Sequence, residues 1–256
     1  TSLSYYSDNL NIKSIRKEKD FVEFQNSGYS IIRSQNYHCI IDRADLGPDY
    51  NPGHGHADTL SFELSVFKKR LIVNSGISTY EDNKTRKIER GTISHSTLLV
   101  DNKNSSEIWK SFRVASRARI INKKNYIKNN CIKLSASHTG YKRLKKNIIH
   151  NRSWVFYKNK IYIIDDLYGN DKRNIKVNYL LHPSVKIIDV NRRKKLIQLL
   201  VGSKKVFFLY PDKIYLNIKK YYYNYSFGKR IISSKIELEI NKVLPERIES
   251  SIFWND

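Results

Sequence analysis

"TLSFELSV", residues 59–66, alternates apolar and polar side chains without a break. Leu60, Phe62, Leu64 and Val66 hold one parity, and Ser61, Glu63 and Ser65 the other. Successive side chains of a strand point to opposite faces, so this pattern describes a strand with one buried face and one wet one. The alternation returns in "FRVASRARI" (112–120) and "KIELEI" (235–240). Shorter β-rich runs lie around them, among them "YHCII", "RLIV", "STLLV", "SWVF", "KIYIID", "VNYLL" and "KKVFFLY". Gly, Asn, Asp and Pro punctuate the gaps as turn residues, as in "GNDK" and "YPDK". No amphipathic helix longer than two turns is readable, and no internal repeat. The spacing predicts an all-β fold, a large antiparallel β-sandwich of roughly a dozen strands.

The chain has 256 residues, 40% of them hydrophobic, which is ample for a buried core. Residues 21–256 are expected to form one sandwich domain. Residues 1–20 are polar and weakly patterned and read as a linker following an upstream domain. Lys and Arg number 47 against 24 Asp and Glu, and the net charge of +23 favours polyanions: nucleic acid, acidic polysaccharide or an anionic membrane. A chain this rich in Lys, Asn, Ile and Tyr also reflects base composition, so charge alone names no partner. No nucleic-acid-binding fold signature accompanies it, which sets nucleic acid behind an acidic glycan as partner. Cys39 and Cys131 are far apart and outside any C-x-x-C, so they read as small core residues. No apolar run is long enough to span a membrane.

"GHGHAD", residues 53–58, leads into the first strand. Extending the strand's parity backwards places Asp58, His56 and His54 on the face of Leu60 and Phe62. Imidazoles partly removed from water stay neutral, the form that ligates a metal or takes a proton. Gly53 and Gly55 would clear space beside them. Two histidines alone are a weak metal signal, and a turn with hydrogen-bonded histidines explains them equally. Further donors follow at Asn74, just past a short strand, and at His95, just before another. Zinc takes imidazole nitrogen and carboxylate oxygen, but Asn74 offers only a neutral amide.

Other candidates carry paired readings. Arg86 and Arg90 could bind a substrate carboxylate through paired donors or belong to a solvated loop. His138 and Tyr141, at a strand end, could line a substrate cleft or serve structure. Trp109 could stack on a sugar, although burial is the commoner fate of such a residue. "KYYYNYSFGKR" (220–230) has the look of a single-strand nucleic-acid platform, yet Tyr-rich strands account for it. His150 and His182 read as structural.

Taken in order, "SGYSIIR", "GPDYNPGHGHADTLSFELSV", "LIVNSGISTYE", "RGTISHSTLLVDNKNSSEIWKSFRV", "HTGYKRL", "IIHNRSWVF" and "IYIIDDL" resemble the C-terminal β-sandwich of the heparinase II/III-like polysaccharide lyases. The resemblance runs from Asn26 to Leu167. It implies an α/α toroid upstream, with substrate held in the cleft between toroid and sandwich. It also implies β-elimination of a uronic-acid polysaccharide, of glycosaminoglycan or alginate-like type, in a periplasmic or extracellular setting. By the same resemblance His54 is the catalytic histidine of the sandwich, and His56, Asn74 and His95 are the zinc ligands. Asn74 stands where the family has Asp, which implies weaker zinc binding. The toroid's tyrosine and histidine, which act as acid and base, have no counterpart here. A non-catalytic glycan-binding or structural sandwich is the competing reading.

Overall fold

Strand Phe62–Val66 keeps its predicted alternation, burying Phe62, Leu64 and Val66 while Glu63 and Ser65 stay partly exposed. The computed structural model describes residues 20–128, 131–144 and 147–255. The expected linker therefore lies, but for Asp20, outside the described residues.

Two large antiparallel sheets form a sandwich. The first has nine strands, running Phe21–Glu23, Tyr29–Arg33, Tyr37–Asp42, Phe62–Val66, Lys69–Val73, Lys172–Leu181, Lys229–Val243 and Tyr215–Ser226, with Leu98–Val100 also paired to Lys172–Leu181. The second has eight, running Lys186–Asn191, Leu196–Val201, Lys204–Leu209, Glu246–Trp254, Lys160–Tyr168, Ile149–Phe156, Cys131–His138 and Ile120–Lys128. A two-stranded ribbon, Ile108–Trp109 with Arg113–Val114, stands apart. The inner faces meet through aromatic edges: Phe62 contacts Trp154 and Tyr179, and Tyr179 contacts Phe208 at 4.8 Å between ring centroids. Cys39 is fully buried and Cys131 partly so, and neither forms a disulfide.

The described residues hold nineteen strands rather than a dozen. Several are two or three residues long, too short to impose a period on the sequence. "FRVASRARI" departs from expectation, because only Arg113–Val114 is strand before Ile120. The segment folds back on residues 107–109 instead, with Ala115 donating to the Glu107 carbonyl and Glu107 to that of Ser116. The backward extension of the first strand fails as well. Leu60 has φ of 63°, a left-handed kink that ends the strand's phase before it reaches the histidines.

Candidate functional site

The histidine loop is stitched in place from one side. Among the described residues the only α-helix is Lys84–Arg90, started by Asn83, whose Oδ1 accepts the Arg86 N–H at 2.9 Å. Arg90, at its last turn, donates from Nε and Nη2 to the Gly55 carbonyl at 3.1 and 2.9 Å. Its Nη1 donates to the carbonyls of Lys110 and Ser111 at 3.1 and 2.7 Å. The Ala57 N–H donates to the Arg90 carbonyl, and the Thr92 hydroxyl to the Ala57 carbonyl. Gly55 lies against Leu46, whose Cδ2 would be 2.2 Å from a Cβ there and would have to shift, whereas at Gly53 nothing comes nearer than 3.5 Å. Arg90 is thus a fully buried staple whose fork is spent on backbone carbonyls. That corrects its expected role as a substrate-binding residue, because no donor pair is left for a carboxylate.

The loop brings the separated histidines together. His56 Nδ1 and His95 Nε2 lie 3.2 Å apart. Asn74 joins them through its Oδ1, which accepts the Ser96 N–H at 3.0 Å, while its Nδ2 reaches Ser61 Oγ at 3.4 Å. Burial pushes His56 down to about 3, helped by the positive charges of Arg86 and Arg90 and by His54. Burial also holds His95 well below its ordinary value, with His56 adding to the effect. Both rings are therefore neutral near pH 7. His54 differs in being exposed, its ring meeting Tyr80 and Phe112 edge-on at 5.5 Å each.

Zinc can be tested against this donor set. A tetrahedral ion with Zn–N bonds of about 2.0–2.1 Å would separate two nitrogens by about 3.3 Å, so the imidazole spacing suits either a shared ion or a hydrogen bond. Charge decides the matter. The third donor is neutral and already hydrogen-bonded, and the guanidinium charges that disfavour a proton on His56 also oppose a dication. Among the described residues no three His, Cys, Asp or Glu side chains group to hold a metal. The set does not fit a tightly held zinc ion.

Beneath the loop runs a fully buried polar chain. Arg152 donates from Nε and Nη2 to the two oxygens of Asp165 at 2.7 and 3.0 Å, and from Nη1 to the carbonyls of Leu60 and Ser96 at 3.0 and 2.8 Å. His150 Nε2 lies 2.6 Å from Asp165 Oδ1, and His138 Nε2 lies 3.0 Å from His150 Nδ1. The Gly140 N–H donates to His138 Nδ1, which orients the chain: His138 donates to His150, and His150 to Asp165. His138 and Tyr141 were candidates for a cleft, and both are 0% exposed. The strand Cys131–His138 ends in a 3-10 turn, Gly140–Arg143, that tucks the Tyr141 ring inward, where its hydroxyl donates to the Leu98 carbonyl at 2.6 Å. Neither is exposed to solvent, and the polar atoms of both are committed to partners inside the protein. His150, as expected, is structural.

The rim was the least legible part in sequence. Tyr80 is 40% and Phe112 44% exposed, and they flank His54. Trp109, for which burial was expected, is 48% exposed, with the Arg113 guanidinium 5.9 Å over its ring. Phe112 lies within an apparent alternation, and that pattern concealed it. Beside it an open groove of about 490 Å³ is lined by Asn51, Pro52, Gly53, His54, Phe112, Arg113 and Val114.

A sandwich of this topology with a histidine loop at its rim defines a class, and the comparisons name it. The family model "Heparinase II/III-like, C-terminal" matches residues 16–250, and the chain belongs to that family. The heparan sulfate lyase HepC from Pedobacter heparinus superposes with a TM-score of 0.78 at 19% identity, over 100% of this chain and 39% of that one. A heparinase III, the BT4657 gene product, gives a TM-score of 0.78 at 18% identity, over 94% of this chain and 37% of that one. The chain thus spans about two fifths of the length of these structures. A search of curated protein sequences gave no match.

Proposed function

We propose that this chain is the sandwich part of a polysaccharide lyase that cleaves a uronic-acid-containing anionic polysaccharide by β-elimination. One observation carries the reading: of the clustered histidines His54 is the exposed one, between two aromatic rings and beside the cationic Arg86 and Arg90, while His56 is half-buried and His95 buried. In the reaction a base removes the C5 proton, the C5–H electrons form the C4–C5 double bond, and the C4–O bond breaks as its oxygen takes a proton. The His54 imidazole is placed to exchange a proton or a hydrogen bond with a sugar at the groove. The neutral His56–His95 pair and the Arg90 staple hold the loop still beneath it. The remaining acid and base would come from an upstream toroid. In this reading the imidazole pair holds zinc weakly at most.

The test is near-ultraviolet absorbance of unsaturated uronate products when the complete protein meets a panel of acidic polysaccharides. Product from at least one of them, lost in His54→Ala, is expected. Glycan binding without product from any would overturn the lyase in favour of the second reading, a non-catalytic glycan-binding sandwich, which draws its support from the amide at Asn74.

A further inference from the structure

Arg86 is buried like Arg90, at 1% exposure, but is almost unbonded. Its Nε reaches the Ser111 carbonyl only at 3.4 Å, and neither Nη1 nor Nη2 has a hydrogen-bond partner. Glu89, the acid whose charge bears on it, is committed elsewhere: its oxygens accept from the Ser78 N–H and hydroxyl and from Asn224 Nδ2. The guanidinium is covered by two rings, with its Cζ 5.0 Å from the centroid of Tyr80 and 5.8 Å from that of Phe112. Ring faces attract the charge but satisfy none of the N–H donors. Both rings are themselves partly exposed, so the cover is one ring thick. They also hold His54 between them, at the mouth of the groove that Phe112 and Arg113 share.

We propose that Arg86 is the receptor for the carboxylate of an acidic sugar, reached when the Tyr80 and Phe112 rings part and then pack against the sugar. Two unpaired Nη groups in one plane match a planar carboxylate in a bidentate pair. Displaced rings give the pyranose an apolar face to lie on. Only the choice of a uronate as occupant rests on the lyase reading. The anion-receiving role of Arg86 stands on its orphaned donors.

Small ligands are the proper probes, because a chain of charge +23 attracts any polyanion. Methyl glucuronide, methyl glucoside, methyl glucoside 6-sulfate and inorganic sulfate would be titrated into the full chain at physiological salt, followed by the side-chain guanidinium signals in proton–nitrogen NMR. The wild type should bind the glucuronide about tenfold or more tightly than the glucoside, as befits a charged hydrogen-bonded pair, with the Arg86 signals moving. Arg86→Met should erase that preference, and Arg86→Lys should retain part of it. Equal affinity for glucuronide and glucoside, or an Arg86 signal that stays still on binding, overturns the proposal without any variant needing to fold. Tighter binding of the 6-sulfate or of free sulfate overturns the carboxylate assignment. Turnover separates the two readings. Arg86-dependent binding without unsaturated product removes the lyase and keeps this site, whereas undiminished turnover by Arg86→Met removes this site and keeps the lyase.

Discussion

At Asn74 a carboxamide accepts the Ser96 N–H with its oxygen and lends its nitrogen to Ser61, near two imidazoles that no third His, Cys, Asp or Glu joins among the described residues. Asn74→Asp keeps the acceptor and adds a negative charge. Calorimetric titration should find zinc binding tightened in this variant relative to a weak or absent wild-type signal. The two loop histidines should also separate in thermal melts. His54→Ala removes an exposed ring and should change stability by no more than about 0.5 kcal/mol. His56→Ala leaves the buried His95 Nε2 unpaired and should cost about 1–3 kcal/mol. Equal melts for the two variants would mean that the imidazole pair stabilises nothing.

Strand by strand, the sheets were legible because a buried face imprints a period of two, and each turn carried its own residues. Less legible were the places where tertiary contacts overrode that period. Leu60 breaks it with a positive φ, and Phe112 keeps it without being strand. No local pattern announced that Arg152, on the strand Ile149–Phe156, would reach across to Leu60 and Ser96. The clustering of His56, Asn74 and His95 was readable from the order of segments, while the burial of His138 and Tyr141 depended on a turn whose direction the sequence does not encode locally. The buried chain carries its own pH signature. Burial raises the Asp165 carboxyl, but Arg152 and His150 overcome it and hold it at about 2. Its contribution is complete above the unfolded carboxylate range and is lost as pH falls toward 2. Burial keeps His138 and His150 below their ordinary values, so the unfolded chain takes up these protons more readily than the folded one. Urea unfolding should therefore show stability falling as pH drops below about 6.5, by about 1.4 kcal/mol per pH unit for each such histidine. Asp165→Ala, which leaves Arg152 buried and unpaired, should cost about 3–5 kcal/mol at neutral pH.

For the molecule as a whole, two kinds of attraction act on an acidic glycan, and ionic strength distinguishes them. The diffuse field of a +23 chain is screened over about 10 Å at 0.1 M salt, so affinity for a long polyanion should fall steeply as salt rises. Methyl glucuronide, held by one enclosed guanidinium, should respond far less. Equal salt slopes for the two ligands, measured by calorimetry, would place all recognition in the field. The Arg152 fork has a mechanical meaning too. It is rooted in the eight-stranded sheet and grips two carbonyls leading into the nine-stranded one, so it works as a shear pin between the layers. Neither layer can slide over the other without dragging the His56 and His95 segments along. Whatever settles on the loop should therefore stiffen a strand on the far side of the core, seen as slower amide hydrogen exchange along Ile149–Phe156.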